Sequence, residues 1–257
     1  MERIWFFLVP LAMLIAAETL WPRRLRTLPR FARWPGAALL LGSGIVLMRL
    51  IVPAGLIGIS FWASTNGFGL FNQVEAPLWI VALLGYLIFD LAVWAQHVAL
   101  HRWDFLWRFH RVHHADPDID VVTALRFHPG EMLISLAWKG AIVVALGAPA
   151  ICVLWYEVLL NVGAMFNHAN LKLPSALDRV LRWFIVTPDM HRVHHSTEHE
   201  EANRNFGFLL PWWDRLFRLY QAQPSKGHQG MQIGQSDWRR ASDQSIWALL
   251  IQPRAKP

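Results

Sequence analysis

The chain has 257 residues, is 54% hydrophobic, contains 15 Trp and carries a formal charge of +6. That apolar fraction excludes an ordinary water-soluble domain and makes the bilayer the first solvent to consider. The positive charge is not spread as a nucleic-acid patch. Five arginines crowd one stretch, WPRRLRTLPRFAR (21–33), beside apolar segments, the pattern of a cytoplasmic loop under the positive-inside rule, so no nucleic-acid partner is expected.

In chain order, residues 4–20 form a short apolar span. The start of the chain could pass for a leader, but its charged region is thin and no small-x-small cleavage site follows, so a retained helix is expected. Residues 35–62 are apolar with Arg49 near the middle. An arginine at mid-membrane costs roughly 2.5–3.5 kcal/mol. If the stretch crosses once, the 63–76 loop, which has no Lys or Arg, lies on the far side. If it breaks at Arg49 into a re-entrant hairpin, the parity of everything after it reverses. Residues 77–96 then return, with Asp90 near the end of the stretch and His97 just beyond it. Residues 132–166 are interrupted at Gly147-Ala148-Pro149, which predicts a hairpin of two short helices turning there.

The expected fold is therefore all-α: a membrane helical bundle of four to five segments, hairpin included, with a cytoplasmic helical cap built from 97–131 and 167–257. The expected division is 1–76 as N-terminal membrane segments, 77–220 as the catalytic domain and 221–257 as a cytoplasmic tail. That tail carries a short apolar patch, IWALLI (246–251), suited to touching the membrane surface. Cys152 lies alone in an apolar run and reads as a small buried hydrophobe. Asp116, Asp118 and Asp120, with Pro117 among them, read as an exposed acidic turn. The aromatic residues at 103–109 and 212–217 read as interfacial anchors, and Asn203 and Asn205 as turn residues.

The histidines carry the chemistry. HRVHH occurs at 110–114 and again at 191–195, and HVALH precedes them at 97–101. At spacings i, i+3 and i+4 a helix points side chains one way, so His97 and His101, then His110, His113 and His114, then His191, His194 and His195 form three one-sided sets. Neutral imidazole is the commonest ligand for zinc and iron, and eight convergent imidazoles exceed what one metal needs. HExxH and ExxH are absent, which argues against a zincin and against a ferritin-like carboxylate site. Iron and zinc both fit an all-imidazole dinuclear site. His199 is flanked by acids and His228 lies in the tail; both read as peripheral. Asp90, Asp189 and Glu131 are the candidate carboxylates to receive the outer N–H of a ligand. Asp90, two turns before His97, is the favoured one. Two readings from other classes stay open: a zinc-dependent membrane hydrolase and a metal transporter.

The stretches DLAVWAQHVALH (90–101), LWRFHRVHH (106–114), TALRFHPGE (123–131), FNHANLKLP (166–174), TPDMHRVHH (187–195), NRNFG (203–207) and WWDRLFRLY (212–220) resemble the fatty acid hydroxylase / sterol desaturase superfamily of membrane oxygenases. The resemblance implies that the eight motif histidines are ligands. It adds His168 as a further ligand, and His128 as either a ligand or a donor beside one. It implies two iron ions, O2, and two electrons from a separate donor such as a ferredoxin, a cytochrome b5-like protein or a reductase. The chemistry it implies is hydroxylation or desaturation of a lipid, for example a fatty acyl chain or a sterol. The excess of Arg over Lys favours a bacterial inner membrane; in a eukaryote the site would be the ER membrane.

Overall fold

The computed structural model describes residues 4–255, and every named element among them is helical. Residues 1–3, the charged start of the leader-like segment, lie outside the described residues. The main helices are α1 (Trp5–Leu20), α2 (Arg30–Ile51), α3 (Gly55–Thr65), α4 (Leu78–Arg102), α5 (Asp104–His114), α6 (Pro129–Leu146), α7 (Ala150–His168), α8 (Ser175–Leu181) and α9 (Pro188–His194). Four stretches are long and apolar enough to cross a membrane: Arg30–Asn72, α4, α6 and α7; α1 is a shorter apolar helix.

The stretch around Arg49 is kinked, yet it runs in one direction. Pro53 cannot continue α2, so the helix ends at Ile51 and restarts at Gly55, whose φ is +57°. The Arg49 guanidinium donates to the Pro53 carbonyl at 2.7 Å, so the charge caps a carbonyl that the break frees. Contacts with α6 fix the direction. Gly44 backs onto Met132, Gly140 onto Leu56 and Ile59, and the Ser60 hydroxyl donates to the Ala148 carbonyl. Residue numbers rise together on both helices, so 30–65 runs one way and no re-entrant hairpin forms. The α6–α7 turn is the expected one: Gly147 closes α6 at φ 63°, ψ 37°, and Pro149 precedes α7. The membrane-side core joins α3, α4, α6 and α7 through Leu56, Phe89, Val93, Leu136, Val143 and Tyr156. Leu50, Phe61, Trp79 and Trp155 point outward, as suits a lipid solvent. Cys152 on α7 is half-buried rather than buried.

The ends of α1, α4 and α7 and the starts of α2 and α6 meet at one side, under a cap made from α5, 115–128 and 169–255. One expectation fails here. The acidic turn is not exposed: Asp116, Asp118 and Asp120 are all buried. Arg33, 1% exposed, donates to Asp116 at 2.7 and 2.8 Å, to Asp120, and to the Asp118 carbonyl at 2.9 Å. The neighbouring arginines also turn inward. Arg30 meets Glu18 at 2.7 Å, Arg23 meets Asp189 at 3.1 Å, and Arg24 donates to the carbonyls of His228 and Met231. Buried Glu18 in turn accepts the backbone N–H of Val121 and of Asn170, both at 3.0 Å. Carboxylates in WPRRLRTLPRFAR's surroundings therefore decide where its arginines go, a pairing that charge counts along a sequence do not reveal. The residues after 220 pack against the rest of the cap. Met231 and Ile233 pack with Ile119, and Leu249 packs with Leu40 and Val112. Trp103, Phe105, Trp212 and Phe217 are exposed around the cap, in keeping with interfacial anchors.

Candidate metal centre

Four helix ends deliver the histidines. His97 and His101 share a face at the end of α4. Trp103 then adopts extended backbone (φ −110°, ψ 116°), the bend that lets α5 start on a new axis and present His110, His113 and His114. His168 is the last residue of α7. Pro188 occupies the first turn of α9, which carries His191 and His194, with His195 at its C-terminal boundary.

These nine imidazoles sort into two groups. His97, His101, His110, His114 and His194 form one; His113, His168, His191 and His195 form the other. In each group the nearest ring nitrogens lie within 4.8 Å of one another. The pentapeptides are thus divided: each HRVHH sends histidines to both groups, so the repeat is of function and not of structure. His128 joins neither group. Its Nδ1 accepts the Gly130 N–H at 3.0 Å, capping α6, and its Nε2 donates toward the Leu250 carbonyl at 3.4 Å. Pro129 forces the extended backbone that turns this ring away.

The proton positions test whether a cation fits. His97 Nδ1 donates to the Phe206 carbonyl (2.7 Å), His194 Nδ1 to the Arg204 carbonyl (2.8 Å), and His168 Nδ1 to the Ala164 carbonyl (2.7 Å). His110 Nδ1 donates to Glu131 at 2.6 Å. Each proton is thus on the outer nitrogen, and the inner Nε2 carries only a lone pair. Yet these lone pairs face each other: Nε2 of His97 lies 3.1 Å from that of His110 and 3.0 Å from that of His194. In the second group His168 Nε2 stands 3.0, 3.1 and 3.2 Å from those of His113, His191 and His195. Neighbouring lone pairs repel unless a cation sits between them. Metal–imidazole bonds of about 2.1 Å at right angles place nitrogens ~3 Å apart, the spacing found here. Burial, reinforced by neighbouring imidazoles, pushes His113, His114, His191 and His195 well below the usual histidine range, and burial takes His194 down to about 3. These shifts favour the neutral form of those five rings, which is the ligating one.

The supporting partners differ from expectation, except at Glu131. Asp90 does not reach His97; seven residues along a helix is roughly 10 Å, and Asp90 instead accepts from Trp213 Nε1 (2.8 Å) and Leu210 N–H (3.3 Å). Asp189 binds Arg23 and Arg192 rather than a ring of either group. The residue missed by sequence is Asp214. It accepts from Trp94 Nε1 (2.9 Å) and from the N–H groups of Phe206 (2.9 Å) and Gly207 (2.8 Å), which fixes the carbonyl that holds His97. Asn205 holds the same loop at φ 53°, bonding Met190 and Gln221 through its side chain. Of the two arginines repeated in HRVHH, Arg192 binds Asp189, whereas Arg111 donates to the carbonyls of Gln252 and Ala255. His228 is buried, with Nε2 3.5 Å from Asp189, and His199 is exposed.

A cavity of about 500 Å³ opens beside His97, His110 and Glu131 and descends among α1, α2, α4, α6 and α7. Its walls are mostly apolar, with Phe7, Leu41, Met48, Val93, Leu100 and Leu160 among them.

The fatty acid hydroxylase family model matches residues 82–218, which contain all nine grouped histidines. The chain belongs to this family. It is 30% identical over 149 residues to an ornithine lipid hydroxylase, OlsE, of Rhizobium tropici, covering 58% of this chain and 44% of that protein. It is 24% identical over 168 residues to human alkylglycerol monooxygenase, covering 63% of this chain and 35% of that one. It is 25% identical over 189 residues to rat cholesterol 25-hydroxylase, covering 70% and 60%. The chain thus spans less than half of the first two relatives. No solved structure matches it. Glu131→Leu removes the acceptor of the His110 N–H. Metal retained after dialysis against a chelator should fall, with affinity weakened about 10–100-fold; unchanged retention would show that Glu131 does not support the site.

Proposed function

We propose that the protein is an integral-membrane lipid oxygenase that holds two iron ions and inserts one oxygen atom of O2 into an unactivated C–H bond. The observation that carries this reading is the junction of two groups of closely spaced imidazoles, eight of the nine rings buried, with an apolar cavity lined by helices long enough to span a membrane. The balance is R–H + O2 + 2 e− + 2 H+ → R–OH + H2O, with a separate ferredoxin, cytochrome b5-like protein or reductase as electron donor. Bound iron supplies the O2 activation. His97, His101, His110, His114 and His194 hold one ion, and His113, His168, His191 and His195 the other. Glu131 and the carbonyls of Ala164, Arg204 and Phe206 keep four of the rings oriented. The cavity walls exclude water and lay a hydrocarbon chain beside His97 and His110. Ornithine lipid, alkylglycerol and cholesterol, named in the relatives, support a lipid substrate. The cap faces the cytoplasm in this reading, in a bacterial inner membrane.

Two measurements test this. Protein purified without added metal should contain iron near two per chain. Lipids of cells with and without the chain should differ by one oxygen, in an O2-dependent way; a difference of two hydrogens would make the outcome desaturation at the same centre. Stoichiometric zinc together with lipid hydrolysis would overturn the reading.

A further inference from the structure

Along α6, Glu131, Ser135 and Lys139 recur every four residues and line the same cavity. Each reaches a different helix. Glu131 binds His110 on α5, Ser135 accepts from Gln96 on α4 at 2.6 Å, and Lys139 lies 3.5 Å from Glu157 on α7. The first two contacts are hydrogen bonds within the protein. The third is only an ion pair: among the described residues, neither charged side-chain group has a hydrogen-bond partner. Both residues sit well inside helices long enough to span the membrane. Ionisable groups at that depth are costly and mark sites where something polar is handled. Asn161, one turn on from Glu157, also lines the cavity; its amide donates to the Glu157 carbonyl at 2.8 Å.

We infer that Lys139 and Glu157 form a polar subsite within the hydrocarbon cavity, one that takes a hydroxyl carried partway along the lipid substrate. The ammonium has N–H groups to donate and the carboxylate has lone pairs to accept, so together they suit a neutral group that can do both, such as a secondary hydroxyl. The eight residues from Glu131 to Lys139 set the spacing, roughly 12 Å along the helix. The subsite therefore measures the distance between the substrate's polar group and the carbon held at the metal centre. An unfunctionalised chain leaves the pair without this partner, so the cavity discriminates by chain chemistry as well as by length. This inference rests on the lipid reading above.

The test is binding, not turnover. The full chain in nanodiscs is offered methyl octadecanoate and methyl 12-hydroxyoctadecanoate, with affinity read from the ligand-induced rise in melting temperature. Wild type should prefer the hydroxy ester at least tenfold over Lys139→Met/Glu157→Leu, which should keep its affinity for the plain ester. Comparing the ratio between proteins cancels the partition of each probe into the disc. An equal ratio in both proteins overturns the subsite. A purely structural ion pair would change melting without changing that ratio. Moving the hydroxyl to positions 6 and 9 needs no variant: wild-type affinity should peak at one position, and a flat series overturns the proposal even if the double variant fails to fold. A protein that shows the preference but oxidises no lipid would fail the functional reading alone; one that oxidises lipid with a ratio of one would fail this inference alone.

Discussion

Replacing His168 with alanine should remove one of two metals and nearly all activity. His168 Nε2 is the common neighbour of the other three nitrogens in its group, at 3.0–3.2 Å. Without it, His113, His191 and His195 lose the ring that ties α7 to α5 and α9. Loss of a partner behind a ligand costs about 10–100-fold, and loss of this ligand should exceed that, lowering lipid oxidation by more than ~100-fold. Metal content should drop to about one per chain, because the five-ring group does not use His168. His194→Ala is the matching variant for the other group. Elemental analysis of purified protein decides the matter: two tightly held metals in His168→Ala would mean the second group is not a metal site.

The second large effect lies away from the metals. Arg33→Met should lower stability by about 3–5 kcal/mol, the cost of removing one partner from a buried ion pair and leaving its carboxylates unmatched. Asp116 and Asp120 are both within direct reach of this guanidinium, and Arg126, 3.8 Å from Asp116, cannot replace it at Asp120. Thermal melting in detergent reads the effect; an unchanged transition would show that the acidic loop is held by other contacts. Arg33 and Glu18 both precede the family-matched region, so that region cannot be excised without unpinning 116–123.

Helix count, the Gly147 turn and the three histidine motifs were all legible because each follows from spacing: 3.6 residues per turn, about 20 residues per span, a glycine where φ turns positive. His168 was reachable only through resemblance, since one histidine at the end of an apolar run has no pattern of its own. The failures share a different cause. Asp90 and His97 lie on one helix, which suggests a pair, but the outer N–H groups of His97, His168 and His194 go to backbone carbonyls, and every residue has one of those. Asp116, Asp118 and Asp120 looked solvated because their counter-charge, Arg33, lies more than 80 residues earlier. His128 had the right neighbours in sequence and the wrong rotation in space, set by Pro129.

Arg111 has a consequence in time. It stands between His110 and His113 of α5, and its guanidinium is held by carbonyls of residues 252 and 255. Arg126, in the 115–128 segment of the cap, is likewise held by Gln244. A chain threaded into the bilayer from its N-terminus has made the four long apolar stretches and all nine grouped histidines before residues 241–255. The two histidine groups are therefore complete in composition before their outer wall is added, and residues 241–255, which follow, latch it.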